Sequence, residues 1–500
     1  MDPNVDTSAN DSLCQEGDPL SSLCRKVEGL KSTLQRQLEE LVKHASVNIP
    51  PTNSPPVQAT CNAVVTLLKT AGIKDAQALP LTDNPEDASI VYGSYPGSGV
   101  ARAGVPTVLL YAHYDVQPAG GGWTVIKDAF DPEVVDGRLY GRGAADDKSG
   151  IIMHLGAVQA FDGTPPVNLK IVIEGEEESG KGSLEAYVQK NADKFKADVI
   201  VVADAGNWKV GEPTLTTMLR GFVVLDVTVS TLNLPVHSGL YGGVAPDAFI
   251  ALIRMLASLH DERGNVVVKG LVSDCYSGKE MTEEQYRVDA GVLDGVYPVG
   301  LIGCGGVRER LSAKPSITVI GINGVPEIDK AANVLLPTVT ARISVRLAPS
   351  QNPEDALCYL KAHLDRVKPW DVRLEMNKIA TGEGFTAGLE GGHYPTVKRA
   401  LSEAFDKKPV VSIGQGGSIP LVNVLHKVNP GAAVLLVGCE EPKARIHAPN
   451  ESVDLEELTR MTLAEAYLLS YLSKSESPVG VERDSQDYES DQHVTGSCFI

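Results

Sequence analysis

Five clusters of acidic and His residues fall at or near the ends of apolar runs. His113-Tyr114-Asp115 directly follows the run from Thr107 to Ala112. Such a run reads as a buried parallel strand, and open α/β sheets keep their chemistry at strand carboxyl ends. A His and an Asp at spacing two point the same way from an extended chain. One can ligate a metal while the other holds it in place. By itself the pair would pass for an ordinary polar contact at a strand end. Four more clusters change that: Asp146-Asp147 between Gly141 and Gly150, Glu176-Glu177-Glu178 after the run from Leu169 to Ile173, Asp204 after Val199 to Ala203, and His447 between Arg445 and Glu451. Several carboxylates converging on one cleft repel each other and resist losing water, so they need a compensating cation. Two His with several carboxylates suit Zn²⁺, and also Mn²⁺ or Co²⁺.

The ordered set resembles the M20 family of co-catalytic dizinc peptidases, near the branch that includes cytosolic non-specific dipeptidases and carnosinases. The resemblance runs from about Leu34 to about Leu472. It implies two divalent metal ions, Zn²⁺ first. His113 and Asp204 would ligate one ion, and Glu178 and His447 the other. Asp146 would bridge them, since a carboxylate's two oxygens can hold cations about 3.5–4 Å apart. Asp115 would orient His113. The family's peptide between the residues matching Asp146 and Asp147 is cis, and Gly141, Gly143 and Gly150 would let the backbone approach closely. The family pattern of a Glu pair, a small residue and Gly fits Glu177-Glu178-Ser179-Gly180, which leaves Glu176 as an extra acid. Glu177 is then the general base, although a slip of one residue would exchange these roles.

The same resemblance places substrate contacts. His237, in Val236-His237-Ser238-Gly239, would donate to the oxyanion, in homodimeric members from the partner subunit. Arg346 would hold the substrate's C-terminal carboxylate with its guanidinium fork, and Asn333 would make a second polar contact. Gly417 and Ser418, in Gly416-Gly417-Ser418-Ile419-Pro420, would cradle the same anion. Gln415 stands where eukaryotic dipeptidases often carry an acid that could meet the substrate amine.

The elements that must position these residues can be read from periodicity. Val27, Leu30, Leu34, Leu38 and Leu41 mark an amphipathic helix ending before Pro50-Pro51, with a second helix over 57–70. Strands at 89–92, 107–112, 169–174 and 199–203 alternate with helices at 149–161 and 183–190. That rhythm predicts a mostly parallel sheet flanked by helices. From 222 to 376 the order β-α-β-β-α-β resembles a ferredoxin-like α+β lid and dimerisation domain inserted into an α/β catalytic domain of the Zn-peptidase type. The expected division is 1–20 disordered, 21–213 catalytic, 214–382 lid, 383–474 catalytic again, and 475–500 a disordered acidic tail. Asn450 and Ser452 are expected to cap the helix that follows them.

Asp and Glu number 64 against 45 Lys and Arg, a net charge of -19. That disfavours nucleic acid and anionic membrane surfaces as partners. The opening Met1-Asp2-Pro3-Asn4 has neither the basic nor the apolar stretch of a secretory leader. The 8 Cys are scattered with no C-x-x-C pair, and read as reduced thiols of a cytoplasmic protein. The reading is a cytoplasmic metal-dependent dipeptidase, homodimeric through its lid, acting on small peptides. The nearest alternative is the same chemistry on another amide, an N-acyl-amino-acid deacylase of the succinyl-diaminopimelate or acetylornithine type. The non-enzyme alternative is an inactive relative acting as a scaffold.

Overall fold

The structure is a computed structural model that describes residues 20–97, 101–388 and 392–474. The expected disordered ends lie outside the described residues.

Near-continuous apolar runs form the centre of a nine-stranded sheet. Asn168–Glu174, Thr107–His113, Val199–Val202 and Ala433–Leu436 lie side by side and parallel. Their side chains are almost all buried on both faces, as expected of parallel strands covered by helices. Antiparallel strands continue the sheet: Ser89–Tyr95 and Gln77–Pro80 on one side, Thr214–Leu219 with Phe385–Thr386 on the other. The sheet is therefore mixed, with a parallel centre rather than a parallel whole. Helices Ser21–Val42, Lys148–Ala160 and Leu455–Leu472 pack on one another and share the sheet's apolar core.

A second sheet of four antiparallel strands has the order Ser316–Asn323, Thr338–Leu347, Gly221–Ser230, Arg373–Gly382. Helices Ala248–Ala257 and Pro353–Val367 join it in a β-α-β-β-α-β path and bury a core of their own. This is the ferredoxin-like topology the alternation predicts. Strand Thr214–Leu219, which the expected boundary put in the lid, hydrogen-bonds into the large sheet instead, so the crossing between sheets falls at Arg220. Its Thr-rich sequence hides a buried strand because the hydroxyls find carbonyl partners, Thr216 on Gly206 at 3.1 Å and Thr217 on Ile413 at 3.1 Å.

Two further readings are corrected. Cys24 is disulfide-bonded, against the expectation of reduced thiols throughout; among the described residues Cys61, Cys275, Cys304, Cys358 and Cys439 are free. The last helix is capped by Asp454, which accepts from the Glu456 and Glu457 amides at 3.0 Å each. Asn450 instead accepts from the Thr124 and Val125 amides, at 2.9 and 3.0 Å. Among the described residues no helix is long and apolar enough to cross a membrane.

Candidate active site

The parallel centre of the sheet delivers its acids and His to one end. His113 closes the strand Thr107–His113 and is fully buried. Its Nδ1 donates to the Asp115 backbone carbonyl at 3.0 Å, which leaves Nε2 facing the Asp146 carboxylate at 2.9 Å. The Asp204 carboxylate, just past Val199–Val202, lies 3.9 Å from the same nitrogen. On the far side of Asp146, His447 Nε2 stands 2.9 Å from Oδ2 and 3.2 Å from the Glu178 carboxylate. Two groups of potential metal ligands result, His113–Asp146–Asp204 and Asp146–Glu178–His447. Asp146 belongs to both and turns one oxygen to each: Oδ1 to His113 and Oδ2 to His447.

Asp147 follows through a cis peptide. Its carboxylate accepts from the His113 amide at 3.1 Å and caps the helix Lys148–Ala160 through the Gly150 amide at 3.2 Å. A side chain on Gly150 would collide with that carboxylate and with Ala203. Gly143, at φ 81°, is held where a Cβ would strike Val116.

Asp115 is fully buried, but its carboxylate does not serve His113 most directly, standing 3.5 Å from Nδ1. It accepts from Asn48 Nδ2 at 2.5 Å and from the Glu177 and Glu178 amides at 3.3 and 3.0 Å. One buried carboxylate thus fixes the turn that presents both glutamates. Glu178 is further held by Gln117, whose amide N–H and side chain donate to it at 3.1 and 2.8 Å.

The charges do not balance. Burial, with the nearby Glu177 carboxylate, pushes Asp204 well above the ordinary range. Burial also raises Glu177, to about 8, against the opposing pull of His113. His447 is held up to about 10 by its contacts with Asp146 and Glu178. Acids that resist ionisation beside a His that keeps its proton are what a carboxylate-rich cleft does when only protons compensate it. Divalent cations fit this donor set: imidazole and carboxylate, two compact groups, one shared bridge.

The cleft beyond has a volume of about 340 Å³ and is lined by Glu177, Glu178, Arg346, Ser418 and His447 among others. Arg346 donates to Ser418 Oγ at 3.1 Å, and Ser418 Oγ donates to the Arg220 carbonyl. Burial lowers both guanidiniums, Arg220 to about 10, and neither has a carboxylate within ion-pair distance among the described residues. Gly417 accepts the Arg220 amide at 3.2 Å. His237 and Asn333 come together elsewhere: strand Val236–His237 pairs with Val334–Leu335, and the Ser238 amide donates to the Asn333 carbonyl at 2.9 Å. Both are exposed on the lid, and neither lines this cleft.

A model of peptidase family M20/M25/M40 matches residues 109–470. The chain belongs to this family. A cysteinylglycine-S-conjugate dipeptidase of Corynebacterium striatum is 36% identical over 87% of this chain and 95% of its own length. The human Beta-Ala-His dipeptidase is 29% identical over 76% of each. In fold the chain is similar to the di-peptidase Dug1p of Saccharomyces cerevisiae, with TM-score 0.78 and 23% identity over 92% of this chain and 99% of that one. As a family member the chain is a peptide-bond hydrolase that depends on divalent metal ions.

The geometry also addresses the slip that the Glu triplet leaves open. Glu176 turns away from both metal-ligand groups. Its carboxylate accepts from Thr52 Oγ1 at 2.5 Å and the Ala88 amide at 3.0 Å, with Lys181 Nζ at 3.6 Å. Glu176→Gln is therefore expected to keep its metal content and lose under about tenfold in kcat, while costing about 1–3 kcal/mol of stability for the disturbed buried acceptor. Thermal unfolding and kcat on one preparation check it. Residues that sequence reading missed are Asn48, Gln117, Arg142, Arg220 and Glu451. Each reaches the site through a contact far along the chain, so no local spacing marks it.

Proposed function

We propose that the chain hydrolyses the amide bond of small peptides with a pair of divalent ions, Zn²⁺ first and Mn²⁺ or Co²⁺ as substitutes. His113, Asp146 and Asp204 would hold one ion, and Asp146, Glu178 and His447 the other. The observation that carries this reading is the single carboxylate of Asp146 shared between two metal-ligand groups. The chain is a metal-dependent dipeptidase: its relatives are metallodipeptidases, which favours this activity over the deacylase and scaffold alternatives.

The ions, when bound, supply an acidified water and polarise the scissile carbonyl. The protein's own groups do the rest. Glu177, raised by burial and aimed into the cleft, takes the water's proton and returns it to the departing amine. Asp115 positions Glu177 and Glu178 through their amides. Arg346 and Ser418 hold the substrate's terminal carboxylate, and a guanidinium that lines the cleft with no carboxylate in ion-pair reach among the described residues supports this assignment. Arg346→Ala is expected to raise KM for free dipeptides about 10- to 100-fold with a smaller change in kcat, the value of a charge-assisted hydrogen bond. Steady-state kinetics on one dipeptide decides it.

His237 and Asn333 serve a neighbouring subunit's cleft rather than their own, in a homodimer joined through the lids. The edge strand Ser316–Asn323 supports this, with Val319, Ile320 and Ile322 40, 56 and 44% exposed and one edge of the strand without a partner strand among the described residues. The acidic surface fits a cytoplasmic protein with no nucleic-acid or membrane partner. Cysteinyl-glycine-type and β-alanyl-histidine-type dipeptides are the substrates to try first, after the relatives. Free dipeptides beside their N-acetyl and N-succinyl counterparts test the whole reading. Faster release of amine from the free dipeptides is expected, and preference for the acylated compounds would move the chain to the deacylases.

A further inference from the structure

His447 sits awkwardly for a ligand. Its side chain is 53% exposed, and it rides a turn in which Arg445, His447 and Asn450 all have positive φ, at 54, 61 and 63°. Non-glycine residues adopt that conformation uncommonly, His and Asn most readily, so contacts around the turn help to hold it there. His113, by contrast, is enclosed on a buried strand with its Nδ1 already engaged.

Besides the Asn450 contacts with Thr124 and Val125, a buried ion pair four residues on anchors the turn. Glu451 is fully buried, and Arg142 is 1% exposed. One Glu451 oxygen accepts Arg142 Nη1 at 2.5 Å; the other accepts the Ala145 and Asp146 amides at 3.1 and 3.2 Å. The Glu451 carbonyl accepts the Gly141 amide at 3.0 Å. Arg142 Nη2 reaches back to the Ala448 carbonyl at 3.4 Å and across to Pro118 at 3.3 Å. The loop carrying Asp146 and the turn carrying His447, some 300 residues apart in sequence, are thereby clamped as one body.

We propose that Glu451, with Arg142, is a positioning residue that fixes the distance between Asp146 and His447, and so sets the affinity of the outer ion shared by Asp146, Glu178 and His447. This rests on the two-ion reading above. Glu451 touches neither the ion nor the substrate; it acts through the backbone of Asp146 and through its own turn. Removing such a supporting partner costs about 10- to 100-fold in metal affinity elsewhere. The loss here falls mainly on the outer ion, because the turn that carries His447 loses its anchor while His113 keeps its bond to the Asp115 carbonyl.

The test is a stepwise Zn²⁺ titration of the metal-stripped full chain against a chromophoric chelator, below every variant's unfolding midpoint. Glu451→Ala is expected to weaken the second binding step about 10- to 100-fold and to leave the first little changed. Glu451→Gln is expected to fall between, since its amide oxygen can still accept from Ala145 and Asp146 but its NH₂ meets Arg142. Should Glu451→Ala not fold, Glu451→Gln decides. The control is Asn429→Ala, a buried polar anchor on Ala197, Phe195 and Leu425 outside the site, expected to lower the unfolding midpoint without moving either step. Two ions bound equally well by wild type and Glu451→Gln overturn this proposal alone, as does an equal loss in Asn429→Ala. Wild type that binds one ion or none overturns the two-ion reading and this proposal with it.

Discussion

Glu177→Gln should keep its fold and its full metal content and lose about 10²- to 10⁴-fold in kcat, the usual contribution of a positioned general base. Glu177 belongs to neither metal-ligand group. What fixes it is its own amide on Asp115, and that bond survives the change. Glutamine has the same shape and can still accept a hydrogen bond, but it cannot take a proton from water. KM should move little, because the substrate's anchors at Arg346 and Ser418 are untouched. Metal analysis and turnover measured on one sample check the prediction together. Wild-type turnover with intact metal would place the base elsewhere, while low turnover with lost metal would make Glu177 a ligand.

The second large effect is expected at the bridge. Asp146→Asn keeps one carbonyl oxygen and replaces the other with an NH₂ group. Because Oδ1 faces His113 and Oδ2 faces His447, whichever way the amide turns, one group loses its acceptor. A nitrogen donor aimed at a cation also repels it. The variant should hold at most one ion firmly, with the other weakened by more than the about 100-fold typical of supporting partners, and turnover should fall with it. Equilibrium dialysis followed by metal analysis reads the stoichiometry. Two ions retained at wild-type affinity would show that Asp146 is no bridge. The Gly143 and Gly150 constraints make a rescue by backbone movement poor, since both positions hold the loop against Val116 and Ala203.

Much of this site could be read from sequence because its donors stand at the ends of apolar strands. His113, Glu177, Glu178 and Asp204 stand at or just past the ends of runs whose burial on both faces marks them as central strands. His447 and Asp146 were legible through motif spacing, not strand position. The ferredoxin-like lid was legible because its strands alternate, as in the buried-then-partly-exposed pattern of Gly221–Ser230. What escaped depends on contacts between distant residues. Asn48 meets Asp115 67 positions later, and Arg142 meets Glu451 309 positions later. Thr214–Leu219 escaped for another reason: its threonines look solvent-facing until their hydroxyls are seen bonded inside the sheet. Asp115 meets His113 mainly through its backbone carbonyl, an atom that the spacing of side chains does not single out.

The most direct measurement is turnover of a free dipeptide as the metal-stripped chain is titrated with Zn²⁺, with bound metal counted at each point. Activity that rises with metal and levels off at two ions per chain is the predicted result. Full activity with one ion, or in the stripped protein, would contradict a reaction built on the carboxylate that the two groups share.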